Sequence, residues 1–358
     1  MRRRTPLWFL ALIALLAISA SQVEAQVEVR FGEASLRVGG RLHMQYATTS
    51  VEGFQPSHNF FVRRARLNFD VTLNKWIDGR LQTAYVLGLV NLQDAYIRFK
   101  VDPLLQVTFG QFKRPFDMFE LDSSTQLSFI ERDGRIPGID SCLGVGRTCS
   151  YSRFTEALFY SNRDMGIRVA GSRGGFDYAV ALTNGETISV AGDQRGAKSW
   201  SGRVSYAFTD RLSAAANISA HDYYIEDADA DEYGYAYGGD LRYGGYQDGL
   251  HVMWAMVAGD NWRRLDDENN AAKFVTTQGL VSYYFDMDRE RVKAWEPVFR
   301  VSYGDPDTDV EDASALIFEP GVFAYFGGRN RIGLNWTFYS PAEGDMEHAI
   351  RVQTFLHF

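Results

Sequence analysis

The chain predicts an all-β fold: a transmembrane antiparallel β-barrel of about sixteen strands, with one long loop folded toward the lumen. Three observations carry this. Apolar and polar residues alternate along segment after segment, which is the period of a strand and not of a helix. The composition is 46% hydrophobic and 14% aromatic with 33 Gly, favouring strands and turns over helices. After residue 25, no apolar run is long enough to span a bilayer as a helix.

The first element is not part of the barrel. Met1-Arg-Arg-Arg precedes an apolar run of about 14 residues, "LWFLALIALLAISA", and small residues follow at Val23-Glu24-Ala25. Charge, short apolar core and small residues are the pattern of a secretory signal peptide. Residues 1–25 are expected to be removed, leaving a barrel of residues 26–358. The alternative is an uncleaved N-terminal anchor. Removing Arg2, Arg3, Arg4 and Glu24 takes away a net charge of +2, so −8 for the whole chain becomes −10. A chain this acidic lacks the basic surface that nucleic acid requires.

The strands follow. In "RRARLNFDVTLN", Leu67, Phe69, Val71 and Leu73 share one parity, and Arg64, Arg66, Asn68, Asp70 and Thr72 share the other. "GRLQTAYVL", "QDAYIRFKV" and "LLQVTFGQF" repeat the pattern. The segments expected are 34–47, 60–74, 76–88, 90–101, 103–113, 163–171, 175–183, 197–208, 212–222, 236–245, 248–258, 274–286, 295–304, 314–327, 330–340 and 347–358. Tight turns separate some of them, such as Asn74-Lys75, "SRGG" and "GGRN". Longer polar spacers separate others: 114–162, 184–196, 223–235, 259–273, 305–313 and 341–346. Short turns on one rim and longer loops on the other fit an outer-membrane barrel.

Alternation alone does not separate a soluble sandwich from a membrane barrel. The polar parity does: it is rich in Arg, which a narrow soluble barrel could not bury unpaired. Tyr96, Tyr206, Tyr243, Tyr283, Tyr303, Phe338 and Tyr339 recur near segment ends, as interfacial girdles do. Sixteen strands in one closed wall leave an aqueous channel and no open edge in lipid. The last strand places Ile350, Val352, Leu356 and Phe358 on one parity, assigned to lipid, and must pair with the first strand to close the wall.

Cys142 and Cys149 lie in one Gly-rich segment, "DSCLGVGRTCS". In an exported chain this pair suggests a local disulfide. No metal site is expected, since no His lies near and zinc usually takes four ligands. The acidic runs "EDADADE" and "DPDTDVED" lack the spacing of a calcium loop and read as solvated loops. No nucleophile motif surrounds any of the six His, so an enzyme and a cofactor are not expected.

Three stretches, "RRARLNFDVTL", "LQDAYIRFK" and "VTFGQFKRPFDMFELDSS", resemble the phosphate-selective porin O and P family, most specifically over residues 60–125. The terminal Phe358 resembles the C-terminal signal that outer-membrane proteins present to their insertion machinery. The resemblance implies a sixteen-stranded, usually trimeric channel in the outer membrane of a Gram-negative bacterium, passing small anions such as phosphate or polyphosphate. It further implies selectivity from arginines along the lumen and from basic residues, notably lysines, on a loop folded into the pore.

The parity assignment gives the anion pathway as Arg64, Arg66, Arg80, Arg98, Lys100, Arg168, Arg203, Arg242, Arg300, Arg331 and Arg351. Guanidinium groups offer planar forks of donors that match phosphate oxygens, and a row of them gives successive weak sites. The bland alternative is that they pair with Asp70, Asp94, Asp177 and Asp240 and brace the wall. Lys113, Arg114, Arg132 and Arg135 are the candidate constriction-loop cations within or beside 114–162. That segment has no lysine between Phe116 and Tyr160, and its carboxylates outnumber its arginines. A weakly selective or cation-preferring porin is therefore an open alternative, as is a barrel of another class, a plugged structural or adhesive one or an outer-membrane hydrolase.

Overall fold

The computed structural model describes residues 27–86, 89–186, 196–226, 228–287 and 289–358. The expected signal peptide, the end of segment 76–88 and most of the 184–196 spacer lie outside them.

The architecture is one closed antiparallel barrel. Strands β2 (Ala34–Thr48), β3 (His58–Asn74), β4 (Ile77–Val86), β5 (Leu89–Asp102) and β6 (Leu105–Lys113) precede the longest irregular segment. After it come β7 (Arg163–Arg173), β8 (Phe176–Thr183), β9 (Ser199–Ala207), β10 (Leu212–Ile225), β11 (Ala230–Gly245) and β12 (Asp248–Leu265). The wall continues with β13 (Ala271–Tyr283), β15 (Ala294–Asp305), β16 (Ala315–Gly327), β17 (Asn330–Pro341) and β18 (Glu347–His357). These are the sixteen expected segments. Two short strands add to them: β1 (Val27–Phe31) and β14 (Phe285–Asp286). β14 prolongs the β13 pairing with β15.

Each strand pairs with its sequence neighbour, and β18 pairs with β2 from Arg351↔Ala47 to His357↔Arg41. Phe358 completes this seam with two backbone hydrogen bonds. Gly40 N donates to its carbonyl at 2.7 Å, and Phe358 N donates to Gly40 O at 3.1 Å. The ring of Phe358 occupies the space a side chain at position 40 would need: a Cβ there would lie 2.5 Å from its Cζ. Below this point β1 takes over the same edge of β2, pairing Val27↔Val38 through Phe31↔Ala34. The edge that β18 leaves is thus covered by the chain's own first hairpin, so less backbone is left without a partner.

Burial follows the expected parity. On β15 and β18 every second residue is buried and the intervening ones are exposed or half-buried. Leu67, Leu81, Ile97, Phe109, Trp254 and Leu334 are exposed on the outer wall. Apolar side chains out and polar ones in is the lipid-facing order of a membrane barrel.

Two spacers are shorter than the sequence indicates. β10 runs to Ile225 and β11 starts at Ala230, while β12 runs to Leu265 and β13 starts at Ala271. Segments 223–235 and 259–273 are therefore mostly strand. Backbone pairing continues through a mixed aromatic and acidic stretch, Tyr223↔Glu232 and Tyr224↔Asp231, whose composition reads as loop.

The core lies inside the barrel. Segment 114–162, with the short helices α1 (Met118–Leu121) and α2 (Tyr151–Ala157), buries Phe116, Phe119, Phe129, Tyr151, Phe154 and Leu158. They cluster with inward residues of the wall, Phe274, Leu280, Val298, Ile317 and Phe323. Phe154 stacks on Phe274 with ring centroids 5.2 Å apart. Each such aromatic contributes about 1.5–3 kcal/mol when removed from water.

Candidate functional site

Segment 114–162 packs against inward residues of the wall. Its base is tied by a sealed ion pair, Arg114 to Asp164 at 2.6 Å, with Arg114 N also bound to Asn162 O. Its middle is seated on β15 to β17. Ser128 Oγ donates to Glu296 at 2.7 Å, Ile130 N to Asn335 Oδ1 at 2.8 Å, and Arg300 to the Arg132 carbonyl at 2.7 Å. Arg331 donates to the Leu127 carbonyl. Tyr151 N binds Ser302 Oγ, Trp262 donates to Leu158 O, and Ser219 donates to Tyr160 O. Cys142 and Cys149 form a disulfide with Cα atoms 5.0 Å apart, closing a turn in which Cys142 N binds Arg147 O.

The expected arginines therefore fall into two groups. Arg300, Arg331 and Arg351 are 1–2% exposed and sealed behind the segment. Arg300 pairs with Glu319 at 2.9 Å, and Arg351 donates to Thr337 at 2.8 Å. Arg331 sits in an aromatic cage, with its guanidinium 4.5–5.4 Å from the rings of Phe355, Phe323, Tyr246 and Tyr325. These three hold the loop and the wall; none faces open water.

The second group is half-buried along β3 to β11. Arg80 pairs with Asp70 at 2.5 Å. Arg98 and Lys100 share Asp78 at 2.8 and 3.1 Å. Arg203 grips Asp240, and Arg242 donates to Asp122 of the segment at 2.7 Å. The bracing alternative thus describes Arg80, Arg98, Lys100 and Arg203 well. Among the described residues no carboxylate pairs with Arg168; it donates to Thr108 at 3.4 Å and lies 5.0 Å from the Phe112 ring.

Arg64 and Arg66 belong to a different arrangement. Register places Arg66 opposite Arg41 and Arg64 opposite His43 on β2. Among the described residues Arg41 and Arg66 reach the amide oxygen of Gln82, at 3.5 and 3.3 Å, and no other side-chain acceptor. Among the described residues no carboxylate lies within ion-pair distance of Arg41, Arg64 or Arg66, and the Nε atoms of Arg41 and Arg66 are buried without a partner. Like charges facing across two strands are unfavourable unless an anion intervenes. Arg41 went unnoticed in the sequence although "GRLHMQY" places it on the polar parity with His43 and Gln45. Arg63 gave no signal at all. Its parity points to lipid, but a register shift at His43/Met44 leaves it as the extra residue of a bulge. It turns to Glu131 of the segment, with two hydrogen bonds of 2.6 and 2.8 Å. Arg163 pairs with Asp94 at 2.6 Å.

The constriction-loop cations are mostly bound to their own segment. Lys113 donates to the carbonyls of Glu120 and Asp122, Arg114 is in the base ion pair, and Arg132 holds Glu120 at 2.8 Å. Only Arg135 is exposed. On the acidic side, Glu120, Asp122, Glu131 and Asp133 all sit in ion pairs. Asp117 is buried, caps α1 through Phe119 N and accepts from Thr155. Burial, reinforced by the neighbouring Glu120 charge, pushes its carboxyl up to about 7. Burial followed by the charges of Glu120 and Asp133 pushes Glu156 up to about 7 as well.

Ser199, His221 and Asp222 also come together, with Ser199 Oγ 3.2 Å from His221 Nδ1. All three are at most 2% exposed, and Ser199 donates to Asp222. A hydroxyl closed to substrate and turned toward the carboxylate braces β9 against β10 and offers no hydrolase centre.

Comparison with solved structures supports the fold. The chain is similar to the outer membrane channel DcaP of Acinetobacter baumannii, at 13% identity and a TM-score of 0.65, covering 92% of this chain and 99% of that one. It is similar to an anion-selective porin from Comamonas acidovorans, at 13% identity and 0.64, covering 91% and 100%. It is also similar to Salmonella typhi OmpF in complex with daunomycin, at 13% and 0.63, covering 93% and 100%. No curated protein matches the chain in sequence. The profile of the family described as phosphate-selective porin O and P matches residues 36–278, more than half of the length. With a closed barrel, a polar interior and that match, the chain belongs to the phosphate-selective porin O and P family and forms an outer-membrane porin channel.

Proposed function

We propose that this porin carries small anions, phosphate or polyphosphate among them, along the side of the lumen lined by β2 to β9. The observation that carries this reading is the group Arg41, Arg64 and Arg66, three neighbouring cations with no carboxylate within ion-pair distance among the described residues. A passing anion gains charge-assisted hydrogen bonds there at no cost of breaking an ion pair. Arg168 is a further weak site along the same half, and Arg80, Arg98, Lys100 and Arg203 are half-neutralised steps between them. Segment 114–162 acts as the constriction, and narrows the passage chiefly by bulk, since most of its charges are paired, within the segment or with the wall. Cleavage after Ala25, insertion through the Phe358 signal and assembly as a homotrimer complete the reading. The purified protein should show a native mass of three chains and an N-terminus at Gln26.

A planar bilayer with a salt gradient tests selectivity. An anion-selective reversal potential, with chloride current blocked by added phosphate, is the expected result. Loss of both in Arg64→Gln and Arg66→Gln would assign it to the group. A second reading, a cation-preferring pore, is favoured by one observation: among the described residues Glu156 has no ion-pair partner, in a segment rich in carboxylates. Cation selectivity in the same measurement would establish that reading instead.

A further inference from the structure

We infer that Glu131 sets the strength of the anion site by withholding Arg63 from it. The inference rests on the proposed anion pathway and adds a specificity-determining residue to it. The bulge in β3 turns two successive arginines inward, so the site has four cations within reach: Arg41, Arg63, Arg64 and Arg66. Glu131, 4% exposed, takes up the Nε and one Nη donor of Arg63, and among the described residues it leaves the next residue, Arg64, without an ion-pair partner. A fork-to-fork pair is held strongly and in one geometry, so Arg63 is neutralised while Arg64 and Arg66 are not. Although burial opposes it, the Arg63 guanidinium holds the Glu131 carboxyl below the usual carboxylate range. The pair is then fixed across working pH and behaves as a constant offset to the local charge.

The segment does not depend on this pair for its seat. Leu127 O, Ser128 Oγ, Ile130 N and Arg132 O are held by Arg331, Glu296, Asn335 and Arg300 respectively. Removing the Glu131 charge should therefore release Arg63 into the site and leave the constriction in place. Removing Arg63 should do the opposite, since Glu131 then turns to Arg64.

The test is reversal potential and single-channel conductance for Glu131→Gln, Arg63→Gln and the double variant R63Q/E131Q. E131Q should raise the anion-to-cation permeability ratio, on the order of twofold for one charge at a narrow, poorly screened site. R63Q should lower it by a similar factor, and the double variant should return to the wild-type value. Two single variants that move the ratio in the same direction, or not at all, overturn the inference, because a merely bracing pair loosens the loop from either side. If E131Q does not insert, the swap R63E/E131R carries the same test. It keeps the pair and the net charge, and a ratio that departs from wild type overturns the inference. The anion reading fails separately: a cation-selective wild type whose variants still shift in opposite directions sinks that reading and leaves the Glu131 role standing.

Discussion

The two halves of the barrel interior carry the same residue type on the same parity, yet their arginines do opposite work. From β15 to β18, segment 114–162 covers the wall, and Arg300, Arg331 and Arg351 hold carbonyls, a carboxylate and aromatic faces together out of water. From β2 to β9 the inward arginines are of two kinds: some are paired with carboxylates of the wall, and Arg41, Arg64 and Arg66, among the described residues, have no carboxylate within ion-pair distance. An inward guanidinium is thus a structural bolt where a segment returns over it with acceptors, and a cation without a carboxylate where the fold brings none. The deciding quantity is which partners come within reach, because the strength of an ion pair depends on distance and on the medium around it.

The largest expected effect breaks the covered half. Arg300→Met leaves Glu319 buried and unpaired, which costs about 3–5 kcal/mol. The unfolding midpoint should fall steeply, and R300M/E319M should recover most of the loss. Selectivity of the surviving channels should stay near wild type. An R300M protein of unchanged midpoint but altered selectivity would reverse the assignment of the two halves.

Next is the disulfide. Opening the short Cys142–Cys149 loop with Cys142→Ser/Cys149→Ser should remove about 2.5 kcal/mol, by loop-closure entropy, from the ordering of segment 114–162. Hydrogen exchange of the segment should accelerate while the strands keep their protection. Equal acceleration in strands and segment would mean that the segment and wall open together.

The pH dependence of the segment's seat sharpens the comparison. Asp117 is held at about 7 against an ordinary value of 3.8, so the folded segment favours its neutral form. Its contribution is fully present below about pH 4 and is lost as pH rises through 7; Glu156 acts in the same direction. Exchange of the segment, corrected for intrinsic rate, should be slower at pH 5 than at pH 8. Asp117→Asn should flatten that dependence, whereas a wild-type profile without slope contradicts it.

The smallest effect is at the paired residues of the β2 to β9 wall. Arg80→Gln frees Asp70 from a half-exposed ion pair, so stability should change by about 0–1 kcal/mol. Its permeability ratio should shift less than that of R66Q, which removes a cation with no partner.

Much of the fold was legible. The sixteen segments, their parity and the pairing of the last strand with the first follow from a period of two and from the intolerance of lipid for open edges. The covered half was also marked, in hindsight, by Leu280, Val298, Ile317 and Phe323 on the nominally polar parity. Apolar residues facing a lumen need something dry against them. The site was less legible. Arg41 stood on the right parity, but Arg63 was hidden because one bulge residue reverses the parity that reading along the chain assumes. Lys113, Arg114 and Arg132 looked available because their partners, Asp122 O, Asp164 and Glu120, carry no local signal of contact.

What the sequence by itself determined is the wall: where it is strand, which side meets lipid and where it closes. Alternation is a local property, and a closed barrel is the one antiparallel arrangement that satisfies it in lipid. The tertiary structure alone decided which cations remain for a solute. That choice depends on where segment 114–162 lies against the wall and on which carboxylates it brings, such as Glu131 to Arg63. Ion pairing is set by proximity in space, and residues sixty-eight positions apart have no reason in the chain to find one another until the loop has folded back.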